Sequence, residues 1–312
     1  MSARRLLKGP RRPGWNWLVE VGTEALRRQV TAAFKMGDVN KARRYLDSVV
    51  ITSPALSEVT ITPVAQEKFR GSWFVPGNAT TTMLYFHGGG YSFYPQAYAN
   101  FIALITLAAK SRTFALDYRL TPEHRFPTQL EDALNAYRWL LAEGTDPARL
   151  VVAGDSAGAN LTLALLLAAR NAKLPLPALA IALSPPTDFE AALAGNQDFD
   201  WIGKPMLLQW ADWFCDSAQR RDPLVSPLRA DLRGLSPIYI QAGRAGILYD
   251  SIQTFAENAK HQGADVFLDS WDMNHDFQMY GPDAPQSADA LRRIGEVIET
   301  QVRGRTRETI AS

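Results

Sequence analysis

Two periodicities alternate along this chain from Thr82 onward. Short apolar runs read as strands: Thr82–Phe86 (TMLYF), Arg112–Leu116, Leu150–Ala153, Leu179–Leu183, Ile238–Gln241 and Val266–Trp271. Between them, apolar residues recur every three or four positions. Leu130, Leu134, Tyr137 and Leu141 predict a helix over Gln129–Ala142, and Phe101–Ala109 and Ala157–Asn171 read the same way. Ile247–Gln262 is a further helix stopped by Gly263, and Leu291, Ile294, Val297 and Ile298 mark a last one. Such alternation predicts an α/β fold with a mostly parallel sheet, helices on both faces, and reactive groups at the carboxyl ends of the strands.

Two regions break the rhythm. Residues 1–50 carry helical patterning (Ala25, Val30, Ala33, Phe34) before the sheet begins. Residues 188–222 interrupt it with aromatic side chains, and Met206, Trp210, Trp213 and Phe214 fall on one helical face. The plain reading of that face is a helix packed on the core. The sharper one joins both regions into a helical cap over a pocket at the strand ends. The catalytic domain would then be residues 51–187 and 223–312, with 1–50 and 188–222 as the two parts of the cap.

Composition narrows the choices. The chain has 312 residues, and its 33 Lys+Arg against 32 Asp+Glu leave a formal net charge of +1. That balance supplies no field for gathering nucleic acid or an anionic membrane surface. The longest apolar stretch, Leu161–Ala169, is broken by Thr162 and falls short of the ~18 residues that span a bilayer. The basic start, MSARRLLKGPRRPGWNW, lacks the apolar core of a signal peptide and reads as a solvated arm, so a cytoplasmic protein is expected. A single cysteine, Cys215, allows no internal disulfide and reads as a small buried hydrophobe.

The strongest local signal is Gly154-Asp155-Ser156-Ala157-Gly158, between the strand VVA and the helix ANLTLALLLAA. A serine on so sharp a strand-to-helix turn lifts its hydroxyl clear of the backbone, beside the free N–H groups of a helix N-terminus. His87-Gly88-Gly89-Gly90 follows the first strand directly. A glycine run there lets backbone N–H groups approach a substrate oxygen, with the Ala157 N–H completing the set. Of four histidines, His87 belongs to the glycine loop as a brace, His124 precedes the serine, and His261 closes a helix. His275 follows the last strand, in Asp272-Met273-Asn274-His275-Asp276-Phe277, the late position a base holds in the order Ser, acid, His.

Together these segments resemble the hormone-sensitive-lipase-like carboxylesterases, a branch of the α/β-hydrolases. HGGG (His87–Gly90) and GDSAG (Gly154–Gly158) carry the likeness, with DYRLTPEH (Asp117–His124), DPLVSPL (Asp222–Leu228) and PIYIQAG (Pro237–Gly243). The resemblance implies an eight-stranded mixed sheet with a helical cap and hydrolysis of short- to medium-chain esters through an acyl-enzyme. It implies Ser156 as nucleophile, His275 as base, and Gly88, Gly89 and Ala157 as oxyanion donors. The implied partner is a small ester, with no metal or cofactor, and a homodimer is in keeping with similar proteins. Amidase, lactonase or deacetylase chemistry would fit the same residues.

One position departs from the pattern. The family's acid, x, Leu, x, Asp segment reads here Gly246-Ile247-Leu248-Tyr249-Asp250, so glycine stands in the place of the triad acid. Another carboxylate could serve His275: Asp250 is nearest along the chain, and Asp272 and Asp276 are within reach of the same loop. Alternatively the acid was replaced, or catalysis is weakened or lost and the chain is a small-molecule binding protein. A helix N-terminal charge is the competing role for Asp250.

Overall fold

The structure is a computed structural model that describes residues 9–51, 53–190 and 197–304. The first eight residues of the basic arm, and residues 191–196 of the aromatic interruption, lie outside the described residues. Two helices come first, α1 (Trp17–Lys35) and α2 (Val39–Asp47), followed by the single turn α3 (Pro54–Ser57). Then come β1 (Val59–Ala65), β2 (Arg70–Pro76), β3 (Thr81–Phe86), α4 (Tyr98–Ala109), β4 (Ser111–Asp117) and α5 (Thr128–Ala142). After β5 (Leu150–Asp155) the chain forms α6 (Ala157–Asn171), β6 (Leu179–Leu183) and α7 (Lys204–Phe214). It ends with β7 (Ile238–Gly243), α8 (Tyr249–His261), β8 (Val266–Trp271) and α9 (Pro285–Ile298).

The eight strands form one sheet in the order β1-β2-β4-β3-β5-β6-β7-β8. Strands β3 to β8 run parallel, while β2 pairs antiparallel with both β1 and β4. The expected mostly parallel α/β sheet is therefore present. The antiparallel pair β1–β2 was not legible. Strand β1 is an edge strand, largely exposed, with Pro63 inside it, so it shows neither an apolar run nor clean alternation.

Alternation along the strands divides the core. Leu84, Phe86, Phe114, Leu116 and Val152 face α5, α6 and α8, whose Tyr137, Leu165 and Phe255 join the same cluster. Met83, Tyr85, Ala115, Val151 and Ala153 face the other way, onto α4 and α9 through Phe101, Ile105, Leu291 and Ile294. Both faces are buried, which is why these strands read as near-continuous hydrophobic runs.

Register then sets the site. Phe86 of β3 lies opposite Gly154 of β5, so the glycine loop and the serine turn emerge level from adjacent strands. Gly243 of β7 lies opposite Trp271 of β8, which brings the segment around Gly246 alongside the His275 loop.

Candidate active site

At the end of β5 the chain reverses within one residue. Ser156 has φ 49° and ψ −120°, a backbone conformation that a residue with a Cβ rarely adopts. The Ser156 N–H donates to the Leu183 carbonyl at 2.8 Å, which ties the turn to β6. Helix α6 then passes so close to β3 that a Cβ on Gly158 would lie 2.0 Å from the Phe86 carbonyl oxygen. Glycine at 158 is thus a condition of the sharp turn, and the turn aims the serine. His275 Nε2 lies 2.9 Å from Ser156 Oγ.

The glycine loop faces this pair, with one correction to the expected donors. The Gly88 N–H donates to Asp155 Oδ1 at 3.0 Å, so it is not available to a substrate. Among the described residues, the N–H groups of Gly89 and Gly90 have no such partner. Both glycines have positive φ, 90° and 61°, which turns consecutive amides toward one concavity. A Cβ on Gly89 would also lie 2.1 Å from the Phe93 carbonyl. Ala157 supplies the first N–H of α6, which has no acceptor within its helix. The donors available by geometry are Gly89, Gly90 and Ala157, one position later in the loop than expected. The motif alone could not show that Asp155 takes the first amide.

Asp155 and His87 hold the loop. The buried carboxylate of Asp155 accepts from Tyr85 and Tyr98 hydroxyls at 2.6 and 2.7 Å, besides Gly88. Burial and the neighbouring Asp276 push its pKa up, to about 7. His87 stacks between Tyr94 and Tyr118 at 3.7 and 4.1 Å, and its Nδ1–H donates to the Gly88 carbonyl. Burial drags its pKa down to about 3, so the ring is neutral. It is the brace expected of it. DYRLTPEH supports the loop from below: Tyr118 donates to the His87 carbonyl, and Arg119 pairs with the buried Asp132.

His275 is buried and rigidly seated. Its carbonyl accepts from Trp201 Nε1 at 2.7 Å, and Asn274 donates to Thr23 of α1 and Tyr280. The candidate acids separate clearly. Asp250 is exposed in the first turn of α8, the helix-terminal role weighed for it, and among the described residues no bond joins it to His275. Asp272 pairs with Arg12, away from the imidazole. Asp276 does approach, with Oδ2 3.1 Å from Nε2, yet among the described residues neither of its buried oxygens makes a hydrogen bond. It meets the nitrogen that serves Ser156, not the opposite one.

A fourth carboxylate was missed. Asp200 lies 46 positions before Gly246 in the chain, outside any motif, and is buried. Its Oδ2 accepts from the Ile247 N–H at 2.7 Å, and its Oδ1 from the Trp201 N–H at 2.8 Å. The His275 backbone N–H lies near enough to act on its charge. A Cβ built on Gly246 would stand 3.5 Å from this Oδ2 and 3.3 Å from the His275 nitrogen. Burial raises the pKa of Asp200, opposed by His275 and these three N–H groups. For His275 itself, burial favours the neutral ring, but Asp276, Asp200 and Asp155 outweigh it and the net shift is upward.

Ser156 opens onto two apolar hollows. One, of about 150 Å³, is lined by Val30 and Phe34 of α1, Ala42 and Leu46 of α2, and Trp210 and Trp213 of α7. A smaller one, of about 60 Å³, lies on the other side of Trp210, against Phe189, Leu207 and Leu248. The aromatic face of α7 therefore divides its work. Phe214 stacks on Tyr91 at 4.0 Å in the core, while Trp210 and Trp213 face the cavity. Cys215 is buried, as expected.

A family model described as alpha/beta hydrolase fold matches residues 83–279. The chain belongs to this family, in the hormone-sensitive-lipase-like branch of carboxylic ester hydrolases that its motifs resemble. It is 35% identical over 261 residues to an acetyl-hydrolase of Streptomyces hygroscopicus, covering 76% of this chain and 87% of that one. An esterase of Acinetobacter venetianus is 33% identical over 266 residues, covering 82% and 88%. Among solved structures, an esterase from the bacterial hormone-sensitive lipase family superposes with a TM-score of 0.83 at 32% identity, over 92% of this chain and 99% of that one. EstE5 soaked with ethyl alcohol gives 0.86 at 30% identity, over 93% and 100%. Among the described residues no helix is long and apolar enough to cross a membrane.

Proposed function

We propose that this esterase works through a serine acyl-enzyme. The observation that carries the reading is the 2.9 Å contact between Ser156 Oγ and His275 Nε2, opposite the open amides of Gly89, Gly90 and Ala157. A neutral His275 accepts the Ser156 proton through Nε2 as Oγ attacks the ester carbonyl. The oxyanion is then held by the three amides, which need no rearrangement as charge develops. The imidazolium gives its proton to the leaving alcohol. In the second half His275 activates water, which releases the acid and restores the serine.

The buried carboxylates matter at the charged step. Asp276, Asp200 and Asp155 lower the cost of the imidazolium in a site where burial alone would oppose it. A relative named acetyl-hydrolase and the small volume of both hollows support short- to medium-chain esters as substrates. The apolar lining from α1, α2 and α7 supports the reading of residues 1–50 and 188–222 as a cap over the acyl or alcohol group.

The test is hydrolysis of p-nitrophenyl acetate and butyrate by the parent and by Ser156→Ala. The parent should turn over both esters, and the variant should be reduced nearly to the rate in buffer. A variant as active as the parent would end the serine reading.

A further inference from the structure

We propose that Asp200 is the positioning carboxylate of His275, filling from the segment before α7 the place that Gly246 leaves open. The proposal rests on the serine reading and names a residue for the duty that the family's pattern leaves vacant here. That duty has two parts: to hold the imidazole loop in one place, and to present a negative charge when the ring becomes imidazolium.

Asp200 meets both. Its carboxylate accepts the backbone N–H of Ile247, and both it and the His275 nitrogen stand beside Gly246, so it ties the segment after β7 to the neighbourhood of the catalytic loop. Its own neighbour Trp201 donates to the His275 carbonyl, so the residue next to Asp200 holds the His275 main chain directly. With Oδ2 only 3.5 Å from where a Gly246 Cβ would stand, an acidic side chain at 246 would compete for the same space. Gly246 does not have the positive φ that would demand glycine. A Cβ there would press on the Gly243 carbonyl oxygen at 3.1 Å and the His275 nitrogen at 3.3 Å, with Asp200 Oδ2 at contact distance beside them.

The other carboxylates do not substitute. Asp250 is exposed, and Asp272 is engaged by Arg12. Asp276 faces Nε2, where a fixed charge competes with the serine proton. The charged groups that act on the imidazole are Asp276, Asp200 and Asp155.

The experiment compares kcat, KM and pH profiles of the parent, Asp200→Asn, Asp200→Ala, Gly246→Asp and Asp200→Ala with Gly246→Asp on p-nitrophenyl acetate, with Ser156→Ala as control. The amide of Asn carries no charge, and its single oxygen can accept one of the two backbone N–H bonds. Asp200→Asn should lower kcat by about 10²- to 10⁴-fold with KM within about threefold. The acid limb of kcat/KM should also move to lower pH, because a negative charge beside the imidazole has been removed. A merely structural role would not move that limb. Gly246→Asp alone should change kcat by less than about threefold because the place is taken, whereas in the Asp200→Ala background it should restore at least about tenfold.

The proposal is overturned if Asp200→Asn stays within about threefold of the parent with an unmoved acid limb. It is equally overturned if Gly246→Asp alone gains about 100-fold, which would show an empty acid place. That second arm leaves Asp200 intact, so it decides the matter even if the Asp200 variants fail to fold. An inactive Ser156→Ala beside an unaffected Asp200→Asn removes Asp200 alone. A fully active Ser156→Ala removes the serine reading and this proposal together.

Discussion

The two sides of the His275 ring are built differently. On the Ser156 side everything is local: a one-residue turn between β5 and α6, and a four-residue loop after β3, on strands whose ends are level. Around the His275 main chain the parts come from three stretches of chain. Gly246 follows β7, His275 follows β8, and Asp200 precedes α7. The lesson is that the nucleophile depends on backbone shape, which motifs encode. The acid's duty needs only a carboxylate in the right space, and a chain can supply that from elsewhere.

The comparison breaks first at the serine. Ser156→Ala should lower kcat/KM for p-nitrophenyl butyrate by about 10⁴-fold or more, since the other groups act through it. Stopped-flow and long-time assays of the same preparation will read that loss. Next comes the loop. Gly89→Ala meets both a φ of 90° and the Phe93 carbonyl, so the donor must move, and a fall in kcat of about 10²- to 10³-fold is expected.

The pH dependence sharpens the comparison on the other side. Catalysis needs neutral His275, and its net raised pKa places the acid limb of kcat/KM above that of an ordinary histidine. Activity should therefore fall as pH drops through that raised value. Asp276→Asn should move the limb to lower pH, because the largest raising charge on the ring is gone. A limb that stays put would contradict the action of Asp276 on the ring.

The smallest effect belongs to Asp250. Its exposure and distance from the site predict that Asp250→Asn changes kcat by less than about twofold, within the range of ordinary surface substitutions. A large loss there would restore Asp250 as the acid and undo the contrast between the two sides.

How much the sequence disclosed follows the same division. Leu179–Leu183, buried on both faces, has the observed limits because burial fixes its composition, and Val266–Trp271 has them too although it is a half-exposed edge strand. Strand β1 escaped because solvent on an edge places few demands on side chains. Ser156 and His275 were legible from motif and chain order, and they meet. The donor set was shifted by one residue, because the choice between Gly88 and Gly90 depends on where Asp155 points. Asp200 was not legible at all. Nothing near it in the chain marks it, and its meaning comes from Gly246, 46 residues away. Asp250 drew attention by its nearness along the sequence, but the start of α8 turns it to solvent.

The most direct test of the nucleophile is covalent. The protein is treated with a fluorophosphonate, digested, and the adduct located by mass spectrometry, with His275→Ala in parallel. A single adduct on Ser156, formed rapidly in the parent and slowed by orders of magnitude without the imidazole, is the predicted result. Rapid labelling that ignores His275, an adduct on another residue, or no adduct in protein that hydrolyses esters would contradict the account.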